Sequence, residues 1–242
     1  MVRTAALTLA LCLASATVQA ALLGRAALTP GGTDYQAYYD TDGSITWLAD
    51  ANYAATLPFE WGNNGNPNSG GYLSGRLMFR DAQRWLGDLN QIAHLGVSSW
   101  RLPDGQQPDP TCSTSIPEGS SGYSCTGGEL GHLFYEELGG VAGMPLTQDV
   151  FRNIRNGAYW TSCVNQVPNR CDSESNAGTN VWYFDMGNGF QHPTNPAQEW
   201  YVWAVVDGDP LAVPIPPAVW LFGSALGVMG VMRRKVSEPR HD

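Results

Sequence analysis

The sequence predicts an α+β domain with two helices and a meander of short antiparallel strands. It is set between an N-terminal signal peptide and a C-terminal transmembrane helix. Three observations predict this. Met78, Ala82, Trp85, Leu86, Leu89 and Ile92 recur at steps of three and four, the spacing of one helical face. Residues 141–205 break into short apolar runs separated by Gly and Asn turns. From Leu211 to Met232 there is no charged residue, and Arg233, Arg234 and Lys235 follow at once.

Residues 1–20 read as a secretory leader. Arg3 supplies the positive start, Ala5 to Ala14 the apolar run, and Val18-Gln19-Ala20 the small residues that a signal peptidase reads. Export removes Cys12 and leaves Cys112, Cys125, Cys163 and Cys171, an even count in an oxidising compartment. Three pairings are open. Cys112–Cys125 and Cys163–Cys171 are favoured because each closes a short loop rich in Gly, Ser, Pro and Asn. Zinc is the alternative for these thiols, but no C-x-x-C pair or neighbouring His supports it.

Residues 21–34 are an N-terminal lead. A strand, a turn at Asp42-Gly43 and a second strand are expected over 35–48. Asp40-x-Asp42-Gly43 also resembles the start of a calcium loop, but Ala51 stands where an EF-hand needs Glu, so a plain turn is expected. Residues 61–72 form a polar loop flanked by Trp61 and Tyr72. In the first helix, an Arg84–Asp88 pair is expected at i,i+4 and Gly96 is expected to end the element. Val97 and Trp100 to Leu102 suit a short strand stopped by Pro103.

Residues 104–128 read as a long irregular loop carrying the first cysteine pair. A second helix is expected over 129–138, with Leu130, Leu133, Phe134 and Leu138 inward and Gly139-Gly140 ending it. Strands follow at 158–163 and 181–186, with a turn at Gly187-Asn-Gly189. The unbroken apolar run from Trp200 to Val206 is expected to be one central strand. The domain therefore runs over 35–208, and 209–216 is linker.

Composition bounds the function. Outside the leader and residues 213–242 the chain has eight Arg and no Lys against twenty Asp and Glu, a net charge of −12. Such a surface does not attract nucleic acid or anionic lipid. His94, His132 and His192 sit in no catalytic or zinc motif. His94 is expected to complement the end of the first helix as a cation, and His132 to face solvent or a helix neighbour. Glu136 and Glu137 are adjacent and diverge on a helix, so they do not pair for general acid–base work. No catalytic residue, metal site or cofactor is expected.

The tail carries more information. Eighteen residues from Pro217 to Arg234 span about 27 Å as a helix, against a hydrocarbon core of roughly 30 Å. A marginal span is therefore expected over 217–235, with the basic cluster as its cytoplasmic stop and 236–242 as a cytoplasmic tail. Gly223 and Gly227 give it a narrow face for packing against another helix. The series Val213, Pro214, Ile215, Pro216, then the apolar segment and the Arg/Lys cluster, resembles the PEP-CTERM class of C-terminal sorting signals in its Val-Pro-Leu-Pro-Ala variant. Ile215 stands for the Leu and Pro217 for the Ala. The resemblance implies an exosortase as partner, cleavage near the prolines, and delivery to the cell surface or medium.

The motifs Asp42-Gly-Ser-Ile-Thr-Trp47, Trp100-Arg-Leu-Pro103, Gly157-Ala-Tyr-Trp160-Thr-Ser162, Trp182-Tyr-Phe-Asp-Met-Gly187 and Trp203-Ala-Val-Val-Asp-Gly208 follow in order. This series resembles the bacterial Lcl C-terminal domain family. The resemblance implies a C-type-lectin-like fold but transfers no activity. With no catalytic motif in the chain, a non-enzymatic surface or matrix protein, as in a biofilm, is expected. Such a protein would bind polysaccharide or protein through the loops at 61–72 and 104–128. The alternative is an enzyme related to formylglycine-generating enzymes, which share that architecture and use a reactive cysteine pair.

Overall fold

In the computed structural model, residues 22–56, 74–147, 150–165 and 179–212 are described. The chain divides into two compact units, Met1–Pro210 and Leu211–Asp242, and almost all of the described residues belong to the first. That unit is mostly β. A four-stranded antiparallel sheet has the order β1 (Leu22–Ala27), β2 (Tyr35–Asp40), β3 (Ile45–Leu48), β11 (Val205–Asp207). A five-stranded sheet has the order β4 (Arg76–Leu77), β10 (Trp200–Tyr201), β7 (Ala158–Asn165), β8 (Asn180–Asp185), β9 (Phe190–Thr194). A small hairpin pairs β5 (Thr114–Ile116) with β6 (Gly119–Ser121). The helices are short: α1 (Phe79–Gln91), and α2 (Glu129–His132), which continues as a π-helical turn over Leu133–Glu137.

This corrects the expected α+β, C-type-lectin-like domain. Most elements of regular structure are strands, and the second helix has a single α turn before its hydrogen bonding widens. The expected transmembrane helix at 217–235 lies outside the described residues. Among those, no helix is long and apolar enough to cross a membrane.

The first hairpin forms where the turn residues place it. Asp40 Oδ1 accepts hydrogen bonds from the backbone N–H of Asp42 and of Gly43, both at 2.9 Å. The left-handed residue is Ser44, at φ 52°, and not Gly43. The sheet also extends towards the N-terminus beyond the expected domain boundary. β1 pairs along β2, with Leu22 opposite Asp40, and Arg25 ion-pairs with Asp209 at 2.7 Å.

Helix α1 buries Phe79, Ala82, Trp85, Leu86 and Leu89. Met78 and Ile92, assigned to the same face, are exposed. They flank the helix, and the chain has turned away from the apolar stripe at both. Ala93 takes a left-handed conformation (φ 46°), so the helix stops before Gly96, which closes a separate 3₁₀ turn. Arg84 pairs with Asp81 at 3.3 Å, not with Asp88.

The stretch 97–100 is not a strand. Its backbone is held by a side chain instead: the Asn90 amide donates to the Trp100 carbonyl and accepts from the Trp100 N–H. Arg101 forms an isolated bridge with Val205.

The largest revision concerns 200–207. This run is two strands in two sheets. Trp200–Tyr201 sits inside the five-stranded sheet, antiparallel to β4 and parallel to β7, and Val205–Asp207 closes the four-stranded sheet against β3. Between them Trp203 is fully buried and its indole N–H donates to the Leu48 carbonyl at 2.8 Å. Trp47 of β3, Phe151 and Tyr159 of β7 all lie against the Trp203 ring, at centroid distances of 5.1, 4.9 and 5.9 Å. This aromatic cluster is where the two sheets share their core, and such rings bury more apolar area per residue than any aliphatic side chain.

Candidate functional site

Asp40 ends β2, and its side chain is turned inward by the tight turn that it caps. One carboxylate oxygen serves the turn. The other, Oδ2, is buried and has no hydrogen-bond partner. Helix α2 approaches this carboxylate. Its close packing on the disulfide loop depends on Gly131, where an added Cβ would lie 1.8 Å from the Cys125 carbonyl oxygen.

The π-turn sets the next part of the geometry. The Leu138 N–H bonds to the Leu133 carbonyl at 2.9 Å, a step of five residues. On an α-helix, side chains five apart point about 140° away from each other. The wider π-turn brings them towards one face. His132 Nε2 and Glu137 Oε1 accordingly lie 3.4 Å apart. Neither atom has a hydrogen-bond partner of good geometry.

Asp40, His132 and Glu137 therefore form a cluster in which one donor atom from each lies within 4.8 Å of the others. Asp40 is 1% exposed and the Glu137 side chain 3%. Burial pushes the Glu137 carboxyl above the usual carboxylate range, the Asp40 charge adds to this, and His132 opposes it. Asp40 and His132 also line a cavity of about 200 Å³, together with Asp42, Gly43, the loop 126–128 and Glu129. Glu137 is not among its lining residues.

Arg101 holds one wall of this cavity. Its guanidinium makes a two-pronged contact with Glu129, at 2.8 and 2.7 Å, and a further hydrogen bond with Asp207. Glu129 also accepts from the Asp104 N–H at 2.7 Å. Loop 104–128, the N-terminus of α2 and the end of β11 are thus tied through one cation.

The expected site residues divide between described and undescribed parts of the chain. Val213, Pro214, Ile215, Pro216, Arg233, Arg234 and Lys235 lie outside the described residues, as does the 61–72 loop. Cys112 and Cys125 form a disulfide with a Cα–Cα distance of 4.1 Å. Cys163, fully buried on β7, is disulfide-bonded as well, and Cys171 lies outside the described residues. The second group of candidate metal ligands, Asp109 with Cys112 and Cys125, is therefore occupied by a covalent bond. The loop 104–128 is more ordered than expected, because the β5–β6 hairpin lies inside it.

One histidine behaves differently from expectation. His94 is half-buried beyond the helix end, and burial lowers its pKa, so it favours the neutral ring over a helix-capping cation. His132 does face a helix neighbour, Glu137, as expected, but it also faces Asp40 from β2, which sequence did not indicate. The third, His192, has its Nδ1 2.8 Å from the Ser121 hydroxyl, which donates to the Gln191 carbonyl. The serine hydroxyl thus has the backbone carbonyl and, in one tautomer, the imidazole within reach as acceptors.

Compared with protein-family models, with curated proteins and with solved structures, the chain matches none.

Proposed function

We propose that this chain is an exported, non-enzymatic surface or matrix protein whose C-terminal segment is cut by an exosortase. It then presents a carbohydrate- or protein-binding loop face outside the cell. One observation carries the reading: a secretory leader at one end and, at the other, Val213-Pro-Ile-Pro216, an uncharged segment and Arg233-Arg234-Lys235. Each part alone is a common pattern. Their order, with the prolines before the apolar segment and the cations after it, matches what a processing enzyme in the membrane needs to read.

The domain supports the same compartment. Its cysteines at 112, 125 and 163 are bonded, as they would be beyond the reducing cytoplasm. Its strong negative charge suits a soluble exported domain and an approach to neutral or cationic partners. The loops at 42–43 and 126–128 meet at the cavity beside Asp40 and form a concave surface for a ligand group.

The test uses a host that makes an exosortase. Replacing Pro214 and Pro216 together with Ala is expected to leave full-length protein in the inner membrane and to reduce release. Release into the medium at the wild-type level would overturn the reading.

A further inference from the structure

We propose that Asp40, His132 and Glu137 form a binding site for a divalent transition-metal ion, with Zn²⁺ as the best-fitting chemistry. This inference concerns the folded domain and does not depend on how the tail is processed.

Two carboxylates are held together out of water beside a histidine nitrogen. Burying such charges without partners is costly, and proteins relieve it with a counter-charge or a shared proton. His132, 3.4 Å from Glu137, supplies at most one positive charge against the two carboxylates. Arg101, the guanidinium described nearby, is committed to Glu129 and Asp207. Asp40 Oδ2, His132 Nε2 and Glu137 Oε1 are all buried, all without hydrogen-bond partners, and mutually within 4.8 Å. Tetrahedral zinc with bonds of about 2 Å holds its ligand atoms roughly 3.3 Å apart. His132 Nε2 and Glu137 Oε1 are already at 3.4 Å, and the other separations, within 4.8 Å, need only a small side-chain shift to close on an ion.

The donor set selects the class of cation. Calcium and magnesium prefer oxygen ligands throughout. One imidazole nitrogen with two carboxylates suits zinc, manganese or iron, and zinc accepts three protein ligands with a fourth position left open. Asp40 and His132 face the cavity, so the open side has a route from solvent. The site would join three elements: the end of β2, the α-helical turn of α2 and the π-turn behind it. The π-turn then has a purpose, since it alone brings residues 132 and 137 together.

The experiment uses the full-length protein produced with its own leader, treated with a chelator and dialysed. Zn²⁺ is titrated calorimetrically, with Ca²⁺ as a parallel titration. Glu137→Gln, His132→Gln and, as a control, His192→Gln are compared with the wild type. Near-ultraviolet circular dichroism of the buried tryptophans checks that each variant is folded.

One Zn²⁺ per chain is expected for the wild type and for His192→Gln, with at least a tenfold loss in Glu137→Gln and in His132→Gln. X-ray absorption of the wild-type zinc form is expected to show one imidazole and oxygen ligands. That measurement stands even if a variant fails to fold. No saturable zinc binding, unchanged binding in folded Glu137→Gln and His132→Gln, or a spectrum with sulfur or several imidazoles would each overturn the proposal. So would Ca²⁺ binding that is as tight as Zn²⁺ and insensitive to His132→Gln.

Discussion

Tyr53 lies across the His94 ring at 4.7 Å, and Trp100 flanks it at 6.3 Å. The indole N–H of Trp100 goes to the His94 carbonyl, so the residue is held by its backbone as well as its ring. A charged imidazole loses hydration there, which is why its pKa falls. The sign of the pH effect follows. A histidine with a lowered folded pKa gives full stability above its unfolded pKa of about 6.5, and loses stability as pH falls below that value. His94→Gln is expected to flatten the fall in thermal midpoint between about pH 6.5 and 5, relative to the wild type, in melts at fixed ionic strength. A fall of unchanged steepness would show that other groups dominate. Single-residue environments of this kind were the least legible part of the sequence. The position of His94 after an apolar stripe fits a helix-end cation, and only the packing of Tyr53 and Trp100 shows otherwise. Gly131 is similar: nothing local distinguishes it from an ordinary helical glycine, yet it permits α2 to reach the Cys125 backbone. Asp40 was legible as a turn residue, and its second oxygen was not.

Among elements, those with strong local chemistry were read well. The Asp42-Gly43 turn, the core face of α1 and the strands near 158–163 and 181–186 each follow from periodicity and turn residues within a few positions. Elements whose form depends on distant partners were read less well. An apolar run such as 200–206 satisfies any buried strand, and its division between two sheets depends on β3, β4 and β7, far away in sequence. The π-turn at 133–137 has no pattern that separates it from an α-helix. β9 contains Gln191, His192 and Pro193, a poor strand by composition, and forms because β8 offers it an edge after the Gly187–Gly189 turn.

Arg101 shows how such elements are joined. Its pair with Glu129 is partly shielded, with side chains 25% and 20% exposed. Removing the cation leaves Glu129 at the start of α2 without its main partner. Arg101→Met is expected to cost about 2 kcal/mol in urea unfolding, the scale of hydrogen bonds to charged groups. Arg84→Ala, at an exposed pair, is expected to change stability by no more than about 0.5 kcal/mol. Equal effects would mean that Arg101 does not link its elements.

For the whole molecule, the number of strands was underestimated. Short pieces such as β4, β5, β6 and β10 have two or three residues each, too few for a period to appear in sequence. That shortfall turned a mostly β unit into an expected α+β one, and the C-type-lectin-like expectation fell with it. Nine of the twelve largest fully buried side chains are Trp, Tyr or Phe, and of these Trp85 and Phe134 were expected to face inward from the helical spacing. Their partners were set by topology. The proposed leader and sorting signal, in contrast, are patterns of consecutive residues and need no tertiary partner to be read. The proposed export and processing rest on these ends, and the proposed metal chemistry rests on the cluster at Asp40.

The most direct test of this account is the intact mass and C-terminal peptide map of the protein recovered outside cells that make an exosortase. The account predicts a chain that starts after the Val18-Gln19-Ala20 motif and ends within or just beside Val213–Pro217, without the Arg233-Arg234-Lys235 cluster. Recovery of external protein that still ends at Asp242 would contradict it.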